Sequence, residues 1–130
     1  MKDVFVSGDV KSHDFQVSED HLALFETGLV HSVCSTFVLA REIEWSSRLF
    51  VLEMCQENEE GVGTMLQIDH KSPAFVGDAV MIQAKVESLL RNELICSIEV
   101  KVGDRLIATG KTGQKIMSKE RINQIFTSLD

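Results

Sequence analysis

The chain has 130 residues, 44% of them hydrophobic, with a mean hydropathy of +0.04, so it can build the core of one ordinary domain and is neither disordered nor fibrous in character. Twenty Asp and Glu against thirteen Lys and Arg leave a net charge of −7, which favours solubility and opposes approach to a nucleic acid backbone. Cys34, Cys55 and Cys96 are odd in number and lack paired spacing, so reduced thiols in a cytoplasmic compartment are expected. The N-terminal stretch has no long apolar run and no segment approaches the roughly 18 apolar residues of a membrane span, so no membrane partner is expected either.

In chain order, residues 10–17 read as a short first strand, and Ser18-Glu19-Asp20 as the start signal of a brief helical turn near His21 to Phe25. From Ser35 to Cys55 the sequence reads as a long helix, with Ser35 or Thr36 as its cap, ending before the polar loop Gln56 to Gly61. Residues 62–70, 78–90, 93–102 and 104–117 alternate apolar and polar side chains, the period of half-buried strands. Val80, Ile82, Ala84 and Val86 fall on one face of the second of these, against Gln83, Lys85 and Glu87 on the other; Leu94, Cys96, Ile98 and Val100 repeat the pattern in the third. Short turns at Leu90–Glu93 and Val102–Arg105 imply a meander, and a helix over 118–128 follows Ser118 as cap. Pro73 is the only proline and no linker is evident, so residues 1–130 are expected to form one domain. A long helix followed by antiparallel strands must bury itself on the apolar sheet face, which gives an α+β hotdog arrangement with the sheet wrapped around one central helix. Its open sheet edge predicts a homodimer or a higher even homo-oligomer.

Two ionisable residues break this pattern. On the helix, Thr36, Phe37, Ala40, Ile43, Ser47, Val51 and Met54 fall on one stripe that also takes in Glu44, while Glu42, Trp45, Ser46 and Glu53 lie opposite. A carboxylate on an apolar face costs several kcal/mol, as a rough order, unless it is paired, hydrogen-bonded or protonated. In the strand ending at His70 the even positions Thr64, Leu66, Ile68 and His70 share the apolar face, and Asp69 points away from its neighbour's ring. Glu44 could orient His70 if the strand crosses that helix turn, and a carboxylate with an imidazole is machinery for activating water or a hydroxyl. Thr36, eight residues before Glu44, places a hydroxyl near the helix N-terminus, where developing negative charge is favoured. Taken singly, each residue has a structural role open to it: Thr36 as a cap, Glu44 as an edge carboxylate reaching solvent, His70 as a satisfied core histidine. His13, His21 and His31 have no metal-ligand spacing, and no GxSxG elbow occurs.

Thr36 with Glu44-Trp45, then Gly63-Thr64 opening a strand that ends in His70, and finally Gly110, Glu120, Arg121 and Asn123 resemble, over about residues 30–125, the fluoroacetyl-CoA thioesterase-like branch of the hotdog superfamily. The resemblance implies hydrolysis of an acyl-CoA thioester, with Thr36, Glu44 and His70 as catalytic residues and the Gly63 backbone placing the acyl carbonyl. Gln114 departs from the arginine of that branch, and so does the segment Ser72 to Gly77 from its proline-rich one. No metal or redox cofactor is implied. The expected function is hydrolysis of a small acyl-CoA; the alternatives are a silent acyl-CoA or small-ligand binding domain and a hotdog dehydratase. Release of free thiol, against alkene hydration without it, separates the two enzymes.

Overall fold

The structure, a computed structural model, describes residues 1–129. In chain order its elements are β1 (Val10–Gln16), a single 3-10 turn (Glu19–His21), β2 (Leu22–Phe25), β3 (Gly28–Cys34), α1 (Thr36–Met54), β4 (Glu59–His70), β5 (Ala79–Leu90), β6 (Glu93–Val102), β7 (Arg105–Ser118) and α2 (Lys119–Ser128). Five strands form one antiparallel sheet in the order β1-β5-β6-β7-β4, and β2 pairs with β3 beside it. Because successive side chains alternate faces, Val80, Ile82, Ala84 and Val86 of β5 and Leu94, Cys96, Ile98 and Val100 of β6 all turn inward, while Gln83, Lys85 and Glu99 stay exposed. Against this face α1 buries Leu39, Ile43, Phe50, Val51 and Met54, so the helix is wrapped by the sheet in the hotdog manner. Each helix starts where its serine stands: Ser35 Oγ accepts from the Val38 N–H at 3.1 Å, and Ser118 Oγ from the Arg121 N–H at 3.0 Å. No helix among the described residues is long and apolar enough to cross a membrane.

Three local expectations are corrected. The segment His21 to Phe25 is mostly strand, since Leu22–Phe25 is paired with β3 and only Glu19–His21 turns. The reversal between β2 and β3 is possible because Gly28 takes φ 113°, a conformation open to glycine. On α1 the stripe is shifted: Phe37 and Glu44 are exposed, whereas Ser46, expected on the polar face, is fully buried with Ser47. Small serines can face the sheet because each hydroxyl bonds a carbonyl three residues back, Ser46 to Ile43 at 2.6 Å and Ser47 to Glu44 at 3.0 Å.

The third correction concerns β4, which lies at the sheet edge beside β7. Its register slips between Gly63 and Met65: Gly61 faces Ile116 and Gly63 faces Gln114, but beyond the slip Leu66, Ile68 and His70 face Thr112, Gly110 and Ala108. The extra residue of this β-bulge is absorbed at Thr64, so odd positions before it and even positions after it point to the helix. Thr64 was expected among the core-facing residues. Instead its hydroxyl bonds Glu93 on β6 at 3.0 Å.

Candidate active site

Thr36 opens α1 and His70 closes β4, and the fold lays one on the other. Thr36 Oγ1 lies 2.9 Å from His70 Nδ1. Ser35 performs the capping, which leaves the Thr36 hydroxyl free for the imidazole. The other ring nitrogen, His70 Nε2, is buried and has no hydrogen-bond partner among the described residues. An orphaned buried nitrogen is costly to leave so, by about 1–3 kcal/mol, and marks a place where a further group is expected.

Glu44 sits two helical turns further on, about 12 Å from Thr36 along the axis. Its Oε1 is 3.1 Å from the point that a Cβ on Gly63 would occupy, so the absent side chain there is what admits the carboxylate. The bulge makes this possible by turning Gly63, an odd residue, toward α1. A hollow of about 300 Å³ opens beside the pair, lined by Glu44, Gly63, Thr64, Met65 and Leu66. The structure therefore brings together Thr36 with His70, and Glu44 with Gly63, at two places on one chain. The expectation that Glu44 orients His70 of its own chain is corrected: seven residues of strand, on the order of 20 Å, separate Gly63 from His70. Both pairs lie along β4, an edge strand.

Three further side chains support the two places. Arg48 Nη1 donates to the Gly61 carbonyl at 3.2 Å, and Gln114, only 2% exposed, donates through Nε2 to Ser47 Oγ at 2.9 Å. Gln114 was legible as core-facing; Arg48 had only its spacing, one turn after Glu44, to mark it. At the other end Arg105 fastens the loop after His70, bonding the Ser72 hydroxyl and the Pro73 carbonyl and pairing with Asp78 at 3.6 Å. The buried thiols take no part: burial, with Glu42 nearby, pushes Cys34 up to about 11, and burial pushes Cys96 up to about 12, so both are protonated at neutral pH. Among the described residues no three His, Cys, Asp or Glu side chains gather as a metal site.

The family model described as fluoroacetyl-CoA-specific thioesterase, FlK, matches residues 17–120. The chain belongs to the fluoroacetyl-CoA-specific thioesterase family. It is accordingly a thioester hydrolase acting on acyl-CoA. Among solved structures it is similar to a Thermus thermophilus hypothetical protein of the thioesterase superfamily, at TM-score 0.91 and 26% identity over 98% of this chain and 94% of that one. A variant of the FlK thioesterase itself superposes at TM-score 0.87 and 19% identity, over 99% of this chain and 100% of the other. Another FlK variant, in complex with acetyl-CoA, gives TM-score 0.84 and 17% identity over 95% and 98% of the two chains. No curated protein matches the chain. Family membership and these superpositions bear out the hotdog expectation, and the family match begins before the stretch from which the resemblance was read.

Proposed function

We propose that residues 1–130 work as one hotdog domain that pairs with a second copy and hydrolyses a small acyl-CoA, with Thr36, Glu44 and His70 catalytic and the Gly63 N–H at the oxyanion. The observation that carries this reading is the Thr36–His70 contact with its buried, unpartnered Nε2. An antiparallel pairing of two β4 edges about a two-fold axis near Leu66 and Gln67 sets Gly63 opposite His70 of the partner subunit, because the two positions are equally far from that centre. Glu44 of the partner subunit then reaches the Nε2 side of His70, and each of two sites is complete. Exposed Phe37 and Leu66 on this flank would be covered by the same pairing.

In that site Nδ1 of His70 takes the proton of the Thr36 hydroxyl, or of a water in its place, as the oxygen attacks the thioester carbonyl. Nε2–H donates to the carboxylate, which stabilises the imidazolium. The oxyanion forms against the Gly63 N–H, the C–S bond breaks, and the departing CoA sulfur recovers the proton from His70. When Thr36 is the nucleophile, a water cleaves the acyl ester in a second turn of the same steps. The acetyl-CoA complex of the FlK variant and the 300 Å³ hollow support a small acyl group. The free cysteines suit a reducing cytoplasm.

The test is complementation. Glu44→Gln and His70→Ala variants, each strongly slowed as a homodimer, are unfolded together and refolded. Half of the dimers are then mixed, each with one intact site of two, so thiol release from acyl-CoA should return to about a quarter of the parent's. A mixture as slow as its components would place the Glu44 and His70 of each site on one chain and overturn the shared site. Alkene hydration by the parent without thiol release would favour a dehydratase.

A further inference from the structure

The space between α1 and the sheet is apolar except for a small group of buried polar side chains, Ser46, Ser47, Thr112 and Gln114. Gln114 is the largest of them, and it is turned away from solvent. Its Nε2 donates to Ser47 Oγ at 2.9 Å, and Ser47 Oγ donates to the Glu44 carbonyl at 3.0 Å. A continuous bonded path thus runs from β7 through one helix turn to the backbone of Glu44. Gln114 is also the residue directly paired with Gly63 across the β4–β7 ladder. The same side chain therefore grows from the strand beside Gly63 and ends on the turn of α1 that carries the carboxylate held over Gly63. A second cross-link, Arg48 Nη1 to the Gly61 carbonyl at 3.2 Å, joins α1 to β4 two residues before that glycine.

Apolar side chains resist separation but tolerate a slide or a small rotation, since dispersion is not directional. A hydrogen bond in a low-dielectric core has direction and length, and leaving its donor unmatched costs about 1–3 kcal/mol. The amide is consequently what sets the rotation and height of α1 against β7 at Glu44. We infer that Gln114, acting through Ser47, is a positioning residue that holds the Glu44 carboxylate at its place over Gly63. This rests on the catalytic reading of Glu44 and adds to it a residue that touches neither substrate nor the reacting atoms.

Gln114→Met preserves volume and burial and removes only the bond. It should lower kcat by about 10-fold with KM within about twofold, because a misplacement of well under 1 Å costs a fraction of the 100-fold that 1 Å can cost. Ser47→Ala should do the same, and the double variant should be no slower than either single one, since both remove one path. Thr112→Val is the control: it deletes a buried hydroxyl two residues along the same strand that bonds Cys96 and not α1. It should move the melting temperature and leave kcat within twofold. A Gln114→Met enzyme with the parent's kcat, a change confined to KM, losses that multiply in the double variant, or an equal kcat loss in Thr112→Val would each overturn the assignment. A parent that released no thiol from any acyl-CoA would instead overturn the catalytic reading on which it rests.

Discussion

Two glycines in β4, two residues apart, should answer the same substitution in opposite ways. A methyl group on Gly61 would stand 2.5 Å from Val51 Cγ1, a buried, β-branched side chain with no rotamer to retreat into. Overpacking of this kind costs about 1–3 kcal/mol, offset by about 0.4–1 kcal/mol from the stiffer unfolded chain. The net loss of about 1–2 kcal/mol corresponds to roughly 4–8 °C in Tm for a chain of this size. A methyl group on Gly63 meets only Glu44 Oε1, at 3.1 Å, the far end of an exposed and flexible side chain. The carboxylate need recede by only a few tenths of an ångström, so Gly63→Ala should melt within about 2 °C of the parent or slightly above it. Its N–H is still there to bind an oxyanion. The displaced group is Glu44, and a shift of that size should lower kcat by about 10-fold. Calorimetry and thiol release on the parent and the two variants give the six numbers needed. Full activity in Gly63→Ala would refute the use of the Glu44–Gly63 contact in catalysis, and a Tm loss equal to that of Gly61→Ala would refute the packing argument.

His70→Ala should lower kcat/KM for thioester hydrolysis by about 100-fold or more while the far-ultraviolet circular dichroism is unchanged, since removing a positioned proton acceptor has that effect. Glu44→Gln should slow turnover and leave Tm in place, because the carboxylate is exposed and the amide keeps its shape; equal rates in parent and variant would remove Glu44 from the mechanism. A chromogenic disulfide at pH 7.5 should modify Cys55 at most, with Cys34 and Cys96 reacting only after unfolding, as both are fully buried. Their thiols ionise at about 11 and about 12 when folded against 9.0 for a free thiol, so above about pH 9 the unfolded chain holds fewer protons. The stability present below pH 9 should therefore fall as pH rises toward 11, read as a declining Tm. Light scattering should give the mass of a dimer or a higher even assembly at micromolar concentration, and a strict monomer would contradict the shared site.

What the sequence made legible was what depends on period alone. The alternation in β5 and β6 identified the buried face because both strands are central, paired on two sides and free of a slip through Ile82, Ala84, Ile98 and Val100. His70 was placed correctly on the helix-facing side because it lies beyond the bulge, where the parity of Leu66 and Ile68 still holds. Gly63 lies before it, and no rule of alternation announces that an extra residue will be absorbed at Thr64; only the glycines at 61 and 63 hinted that a backbone there is closely approached. The hairpin β2–β3 was lost for a related reason. Four residues, Leu22–Phe25, are too few to establish a period, and the capping signal at Ser18 was real but served a single turn.

The separation of Thr36–His70 from Glu44–Gly63 follows from the geometry of a helix laid on a strand. Eight residues of α1 advance about 12 Å, while the seven residues from Gly63 to His70 advance on the order of 20 Å, so the two elements can meet at both ends but cannot gather four residues into one cluster. A single copy of this fold can therefore hold a hydroxyl–imidazole pair or a carboxylate–amide pair at a given point, but not both. The strand that spans them is at the sheet edge, with no further strand among the described residues on its outer side, and reversal of that strand is the one symmetric operation that carries each end onto the other. Dimerisation would then complete the chemistry as well as cover the edge, and a variant that weakens edge pairing without touching any of the four residues, such as Gln67→Lys, which sets like charges against each other near the two-fold axis, should lose dimer and turnover together. A monomeric Gln67→Lys protein that hydrolysed acyl-CoA at the parent's rate would show that one chain is sufficient.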